Sequence, residues 1–207
     1  MRRLLGIALV AAVGLVGVPA VAAVAATGSD STTTAVVKPA GVSLRYPSTW
    51  TVAKQTKKSL AAQVKALSKT NPALAAQLAQ TDLTTAKFRA VDPGAASGEV
   101  SGNVRVQLVK SPAPRNLAAF TREVTQAYEA DGDTVLGTHG VTVSGKTAYR
   151  VDLTIPIAGT GATPTVVRVG QLAVPRGSTS TVVTVGAPNT DAGAALIDTI
   201  LNSVRST

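Results

Sequence analysis

The chain has 207 residues, with 20 Lys+Arg against 11 Asp+Glu, a net charge of +9, and only one Trp, three Tyr and two Phe in a composition that is 45% hydrophobic. That length suits one domain plus a targeting segment. The absence of cysteine excludes a disulfide scaffold, a thiolate zinc centre, an iron–sulfur cluster, a cysteine nucleophile and a lipid-modified cysteine, and a single histidine leaves no His-rich metal site.

The N-terminus opens with Arg2 and Arg3, and an uncharged run of Leu, Ile, Val, Ala and Gly follows from Leu4 to Val18, where Pro19 breaks it. Small residues at Val24-Ala25-Ala26 predict signal-peptide cleavage after Ala26, so residues 1–26 read as an export signal. The competing reading is an uncleaved anchor, since Leu4 to Ala26 is long enough to span a bilayer. Gly28 to Ala40 is rich in Ser and Thr and reads as a flexible tether over 27–40, with a single domain over 41–207.

Within that domain, Val42, Leu44 and Tyr46 alternate with polar residues, and the alternation resumes at Trp50 and Val52 after Pro47-Ser48-Thr49, which predicts a hairpin. Tyr46 and Trp50 are expected in the core. From Lys57 the period changes, and Leu60, Val64 and Leu67 form one stripe of an amphipathic helix with Lys58, Lys65 and Lys69 mostly opposite. Asn71-Pro72 then caps a second short helix carrying Leu74 and Leu78.

Strands are expected over Lys87–Asp92 and around Val104, Val106 and Leu108. Asn116 caps a helix with apolar positions Leu117, Phe120, Val124 and Tyr128, which Asp131-Gly132-Asp133 ends. Strand patterns follow: Val141 and Val143 to a Ser144-Gly145 turn, then Tyr149 to Ile157, Val166 to Val174 and Thr181 to Val185. A last helix runs through Ala194, Ile197, Ile200, Leu201 and Val204, with Asp191 as its expected cap. Strands exceed helices and are joined mainly by turns, so the pattern predicts an α+β fold around a largely antiparallel sheet.

Six segments carry a resemblance: Gly41 to Trp50, Lys87 to Asp92, Asn103 to Val106, Asn116 to Ala130, Ser144 to Arg150 and Ile200 to Arg205. Together they look like the PsbP-like αβα fold, with a nearer likeness to exported actinobacterial proteins of the LpqN type. The resemblance covers about 41 to 205 and implies an αβα arrangement, with helices flanking a curved antiparallel sheet, that serves as an accessory or binding module. Many members are lipoproteins; the cysteine that would carry the lipid is absent here. No catalytic residue is implied, because the matching positions are core and turn residues.

Gly140 to Thr147 matches the phosphate-loop pattern G-x-x-x-x-G-K-T, but its interior valines and threonine prefer strand, and a strand pattern rather than a helix follows, so a hairpin turn is expected and no nucleotide. His139 sits in an expected loop; a Ser-His-Asp set could include it with Asp152 or Asp191, but the chain has no G-x-S-x-G elbow. Asp131 and Asp133 suggest the start of a calcium loop, yet Val135 and Gly137 supply no side-chain oxygen, so a solvated helix end is expected. Glu123 and Glu129 are too far apart along their helix for a glycosidase pair.

One feature points to binding. Lys38, Arg45, Lys54, Lys57, Lys58, Lys65 and Lys69 occur with no acid between Lys38 and Thr81. A one-signed face attracts an anionic envelope polymer or lipid surface. Nucleic acid is disfavoured, because only Tyr46 and Trp50 accompany the basic residues and export removes the partner. The expectation is therefore a secreted, non-catalytic protein of the cell envelope that binds through Lys54, Lys57, Lys58, Lys65 and Lys69, with no cofactor and no metal. Two other readings stand beside it: a carrier whose 58–79 helices cover a hydrophobic ligand, and a hydrolase with dispersed residues.

Overall fold

The computed structural model describes residues 31–54, 56–69, 75, 79, 86–94, 100–110, 114, 116–157 and 165–207. The expected export signal, the second short helix apart from Ala75 and Ala79, and most of the loops after residues 94 and 157 lie outside the described residues. Ala75 and Ala79 are both helical, and Ala75 is buried.

Two antiparallel sheets are present among the described residues. The smaller is built from β1 (Thr32–Val37), β2 (Val42–Pro47) and β10 (Arg205–Ser206), with β2 in the centre. The larger contains β3 (Thr51–Val52), β4 (Ala86–Val91), β5 (Asn103–Val109), β6 (Thr134–Val143), β7 (Lys146–Ile157), β8 (Thr165–Arg176) and β9 (Thr179–Pro188), in the spatial order β3-β4-β5-β9-β8-β7-β6. Three helices described along their length flank them: α1 (Lys57–Leu67), α2 (Leu117–Ala130) and α3 (Asp191–Asn202). The α+β class with a largely antiparallel sheet is therefore correct, and every strand pairing among the described residues is antiparallel.

Period-2 alternation makes each strand of the large sheet two-faced. One face turns Phe88, Ala90, Val104, Val106, Leu172, Val174, Val183, Val185 and Ala187 onto Val42, Leu44 and Tyr46 of β2 and Ile197, Ile200 and Leu201 of α3, forming the main core. The other face has two separate apolar clusters. Phe120, Val124 and Tyr128 of α2 pack on Tyr149, Val151, Leu153, Val167 and Val169, and Leu60 of α1 packs on Ala53 and Val91 near the opposite edge. All six aromatics are buried, with ring pairs Tyr46–Phe88 and Phe120–Tyr149 each 5.3 Å between centroids.

The tether reading is overturned from Thr32 onward. Thr32 to Val37 forms β1, paired with β2 from Thr32↔Pro47 to Val37↔Val42, and a 3₁₀ turn at Lys38–Ala40 carries the chain between them. Val37 and Ala40 are buried in the main core. The Ser/Thr-rich composition that looked like linker is that of an exposed edge strand, whose alternate residues face solvent. Gly41 closes the turn at φ 61°, where a Cβ would also strike the Arg176 guanidinium.

The hairpin expected over 42–52 does not form either. The two sides of β2 are taken by β1 and the C-terminal β10, so the chain turns a corner after Pro47 and pairs β3 with β4 in the other sheet. Trp50 lies at this corner and fills the main core.

Helix ends follow the sequence more closely. The Asn116 side chain accepts from Ala119 N at 2.9 Å, as expected of an N-cap. At α3 the cap is Thr190, whose hydroxyl accepts from Gly193 N at 3.1 Å, and Asp191 is instead the first helical residue. α3 ends at Asn202, before Val204, because the chain re-enters a sheet at β10. The close seat of α3 on the sheet depends on Gly170 and Gly193: a Cβ on the first would overlap the Ile197 side chain, and one on the second the Pro188 carbonyl.

Candidate functional site: the lysine face of α1

Helix α1 starts at Thr56, whose side chain accepts from Ser59 N at 3.1 Å, satisfying one of the free donors of the first turn. Gln63 anchors the helix sideways: its Oε1 accepts from Lys54 N at 3.0 Å and its Nε2 donates to the Val52 carbonyl at 2.9 Å. These bonds fix the rotation that the apolar stripe prefers, with Leu60 buried and Val64 and Leu67 packed beside it.

With that side held down, Lys54, Lys57, Lys58, Lys65 and Lys69 are all exposed. Lys58 and Lys65 are seven residues apart and share one stripe of the helix. Lys57 and Lys58 occupy the first turn, which contains no acid. That is the positive end of the helix dipole, where cations are unfavourable by about 0.3–1 kcal/mol each and where an anion is favoured. None of the five lysines makes an ion pair with a described residue.

Lys38 and Arg45 do not belong to this group. Arg45 is exposed on β2 and Lys38 on the 3₁₀ turn that precedes it, both on the small sheet's side, which packs on the opposite face of the large sheet. The expected segment 38–81 is thus split by the fold: its first two basic residues lie on one side of the molecule and the α1 lysines on the other.

On the α1 side of the large sheet, Arg89 and Arg105 are directly opposite each other across β4 and β5. Burial, and secondarily the charge of Arg105, lowers the Arg89 guanidinium to about 10. This positive pair was hidden in the sequence, where both residues read as the ordinary polar positions of alternating strands.

His139 lies in strand β6 rather than a loop, with Nε2 3.7 Å from Asp152 Oδ2. The proximity considered for a catalytic set is real, but Asp152 is held by Arg150, whose Nη2 is 2.7 Å from Asp152 Oδ1 and also bonds to Asp198 of α3 at 2.5 Å. The Arg150 guanidinium is raised further by these two carboxylates, against the lowering effect of burial. No serine hydrogen-bonds His139 among the described residues, and Asp191 begins α3 far along the chain from this pair. The cluster is an ion bridge joining β7 to α3.

The phosphate-loop match resolves into a tight hairpin. Ser144 and Gly145 have φ 48° and 77°, as a two-residue turn between β6 and β7 requires, and Ser144 Oγ accepts from Ser206 N at 2.9 Å. The end of α2 also differs from expectation: Asp131 is exposed, but Asp133 is buried, and burial, with the charge of Asp131 as a second cause, pushes its carboxyl up.

Among the described residues, no helix is long and apolar enough to cross a membrane, and no group of three or more His, Cys, Asp or Glu side chains is placed to hold a metal. No family model and no curated protein matches the chain. Among solved structures, the cyanobacterial PsbP (CyanoP) of Synechocystis is similar at 12% identity and a TM-score of 0.53, over 90% of this chain and 98% of that one. The Ran-binding protein Mog1p of Saccharomyces cerevisiae is similar at 12% identity and a TM-score of 0.50, over 86% of this chain and 96% of that one. These likenesses show a PsbP-like fold, shared with Mog1p.

Proposed function

We propose that this chain is an exported, non-catalytic binding protein of the cell envelope, of the LpqN type, that engages a phosphate-rich anionic surface through the lysine face of α1. The observation that carries the reading is the placement of Lys57 and Lys58 in the first turn of α1 with Lys54, Lys65 and Lys69 beside them, all exposed and none neutralised by a described residue. Lys57 and Lys58 sit at the end of the helix where a cation is unfavourable and an anion is favoured, while Lys65 is in the last turn, and this placement of the first two is what mere solubility does not require. The use of this fold by a Ran-binding protein is in keeping with a binding role. Burial of all six aromatics leaves no stacking platform for bases, which favours a surface read by charge over single-stranded nucleic acid.

The test is a salt titration of retention on vesicles of anionic and of neutral phospholipid, and on phosphate-bearing wall polymer. Binding to an anionic matrix that falls steeply between about 50 and 200 mM salt, with none to neutral vesicles, is expected. Whichever anionic matrix retains the protein identifies the source of the phosphate. Retention that ignores salt, or that is equal on neutral vesicles, contradicts the reading.

A further inference from the structure

Helix α2 ends in Glu129-Ala130-Asp131-Gly132-Asp133, which holds three of the chain's 11 acidic residues. The C-terminal end of a helix is the negative end of its dipole, where cations are favoured and carboxylates are not. The last turn of α2 contains no basic residue, and none of these three carboxylates is ion-paired with a described residue. The main chain folds back tightly here: Asp131 N and Asp133 N both donate to the Tyr128 carbonyl, at 3.1 and 3.0 Å, and Gly132 N donates to the Glu129 carbonyl at 3.1 Å.

This fold-back takes Asp133 under the helix end, where it is 8% exposed, and its Oδ2 is closed off from solvent with no hydrogen-bond partner among the described residues. A buried carboxylate oxygen with neither donor nor cation beside it is among the costliest groups that a fold can hold.

We propose that the C-terminal end of α2 is a weak binding site for a hard divalent cation, calcium before magnesium, with Asp133 and Asp131 as its carboxylate ligands. Carboxylate oxygens suit hard cations. Calcium accepts irregular sets of carboxylate, carbonyl and water oxygens, whereas magnesium demands near-octahedral geometry. Among the described residues no group of three or more His, Cys, Asp or Glu side chains comes together, so the site is no closed cage, and the affinity belongs to the weak class of extracellular modules, about 10⁻⁴–10⁻³ M. This site is on a different helix from the lysine face and stands or falls without it.

The test is thermal unfolding of the purified chain, first stripped with chelator, in rising CaCl₂ at ionic strength held constant with choline chloride, with a parallel series in MgCl₂. At 10 mM calcium and a dissociation constant near 1 mM, the midpoint rises by about 3 °C. The rise is lost in Asp133→Asn and in Asp131→Asn and kept in Glu123→Gln, which lies two turns earlier on α2. Asp131 is exposed, so its substitution decides the matter even if Asp133→Asn fails to fold. No calcium-dependent rise, or a rise that survives in Asp131→Asn, overturns the site. A larger rise in magnesium than in calcium overturns the choice of cation.

Discussion

Tyr128 shows how much of this molecule depends on single buried polar groups. Its hydroxyl donates to Gln171 Oε1 at 2.6 Å, beneath α2, and burial, with Asp133 as a second cause, raises the phenol to about 12 from 10.0. The neutral phenol is the form the fold accepts, so this contribution is complete below pH 10 and is lost as pH rises from 10 to 12, by about 3 kcal/mol in all. Measured as denaturant unfolding, wild type is expected to lose that much relative to Tyr128→Phe across the window; parallel curves would contradict it. Gln63 is a second such group. Gln63→Ala removes both bonds between α1 and the β3 segment and is expected to cost about 1–2 kcal/mol by urea unfolding. At this scale the sequence is legible where the partner is local: Asn116 reads as a cap because its acceptor and donor are three residues apart. Asp133 does not, because its burial depends on how the chain folds back at the end of α2, and the Asp152–Arg150–Asp198 bridge joins residues that only the tertiary fold brings together.

Among the elements, periodicity located α1, α2, α3 and most strands, since each has an apolar stripe or an alternating face that must be buried. It failed where the burial pattern is weak. β1 is an edge strand of small polar residues, and β6 contains Gly137 and Gly140 with a register shift between Val135 and Gly137, so neither displays a clear alternation. The failed hairpin has another cause: alternation identifies strands but not their partners, and β2 finds its partners at the two ends of the described chain, in β1 and β10. A chain truncated just before Gly41 is therefore expected to be destabilised by several kcal/mol, through loss of Val37 and Ala40 from the main core and of one whole side of β2. Unchanged unfolding of the truncated chain would restore the tether. Gly170→Ala is expected to cost about 1–3 kcal/mol by pushing α3 off β8, read as a drop in the thermal midpoint.

For the whole molecule, the distribution of charge matters more than its sum. The net +9 includes Arg2 and Arg3, which precede the described residues, and the seven basic residues between Lys38 and Thr81 are divided by the fold between two faces. On the proposed function, position rather than total charge carries binding: the α1 lysines form the site, and Lys38 and Arg45, on the other side, do not. The direct measurement compares co-sedimentation with anionic vesicles for three chains: wild type, Lys57/Lys58/Lys65/Lys69→Ala, and Lys38/Arg45→Ala. With about 1 kcal/mol per lysine near an anionic surface, the first variant is predicted to bind at least about 100-fold more weakly while the second keeps wild-type affinity to within a few fold. Equal affinity of the α1 variant and wild type, or an equal loss per charge removed in both variants, would contradict a binding site on α1.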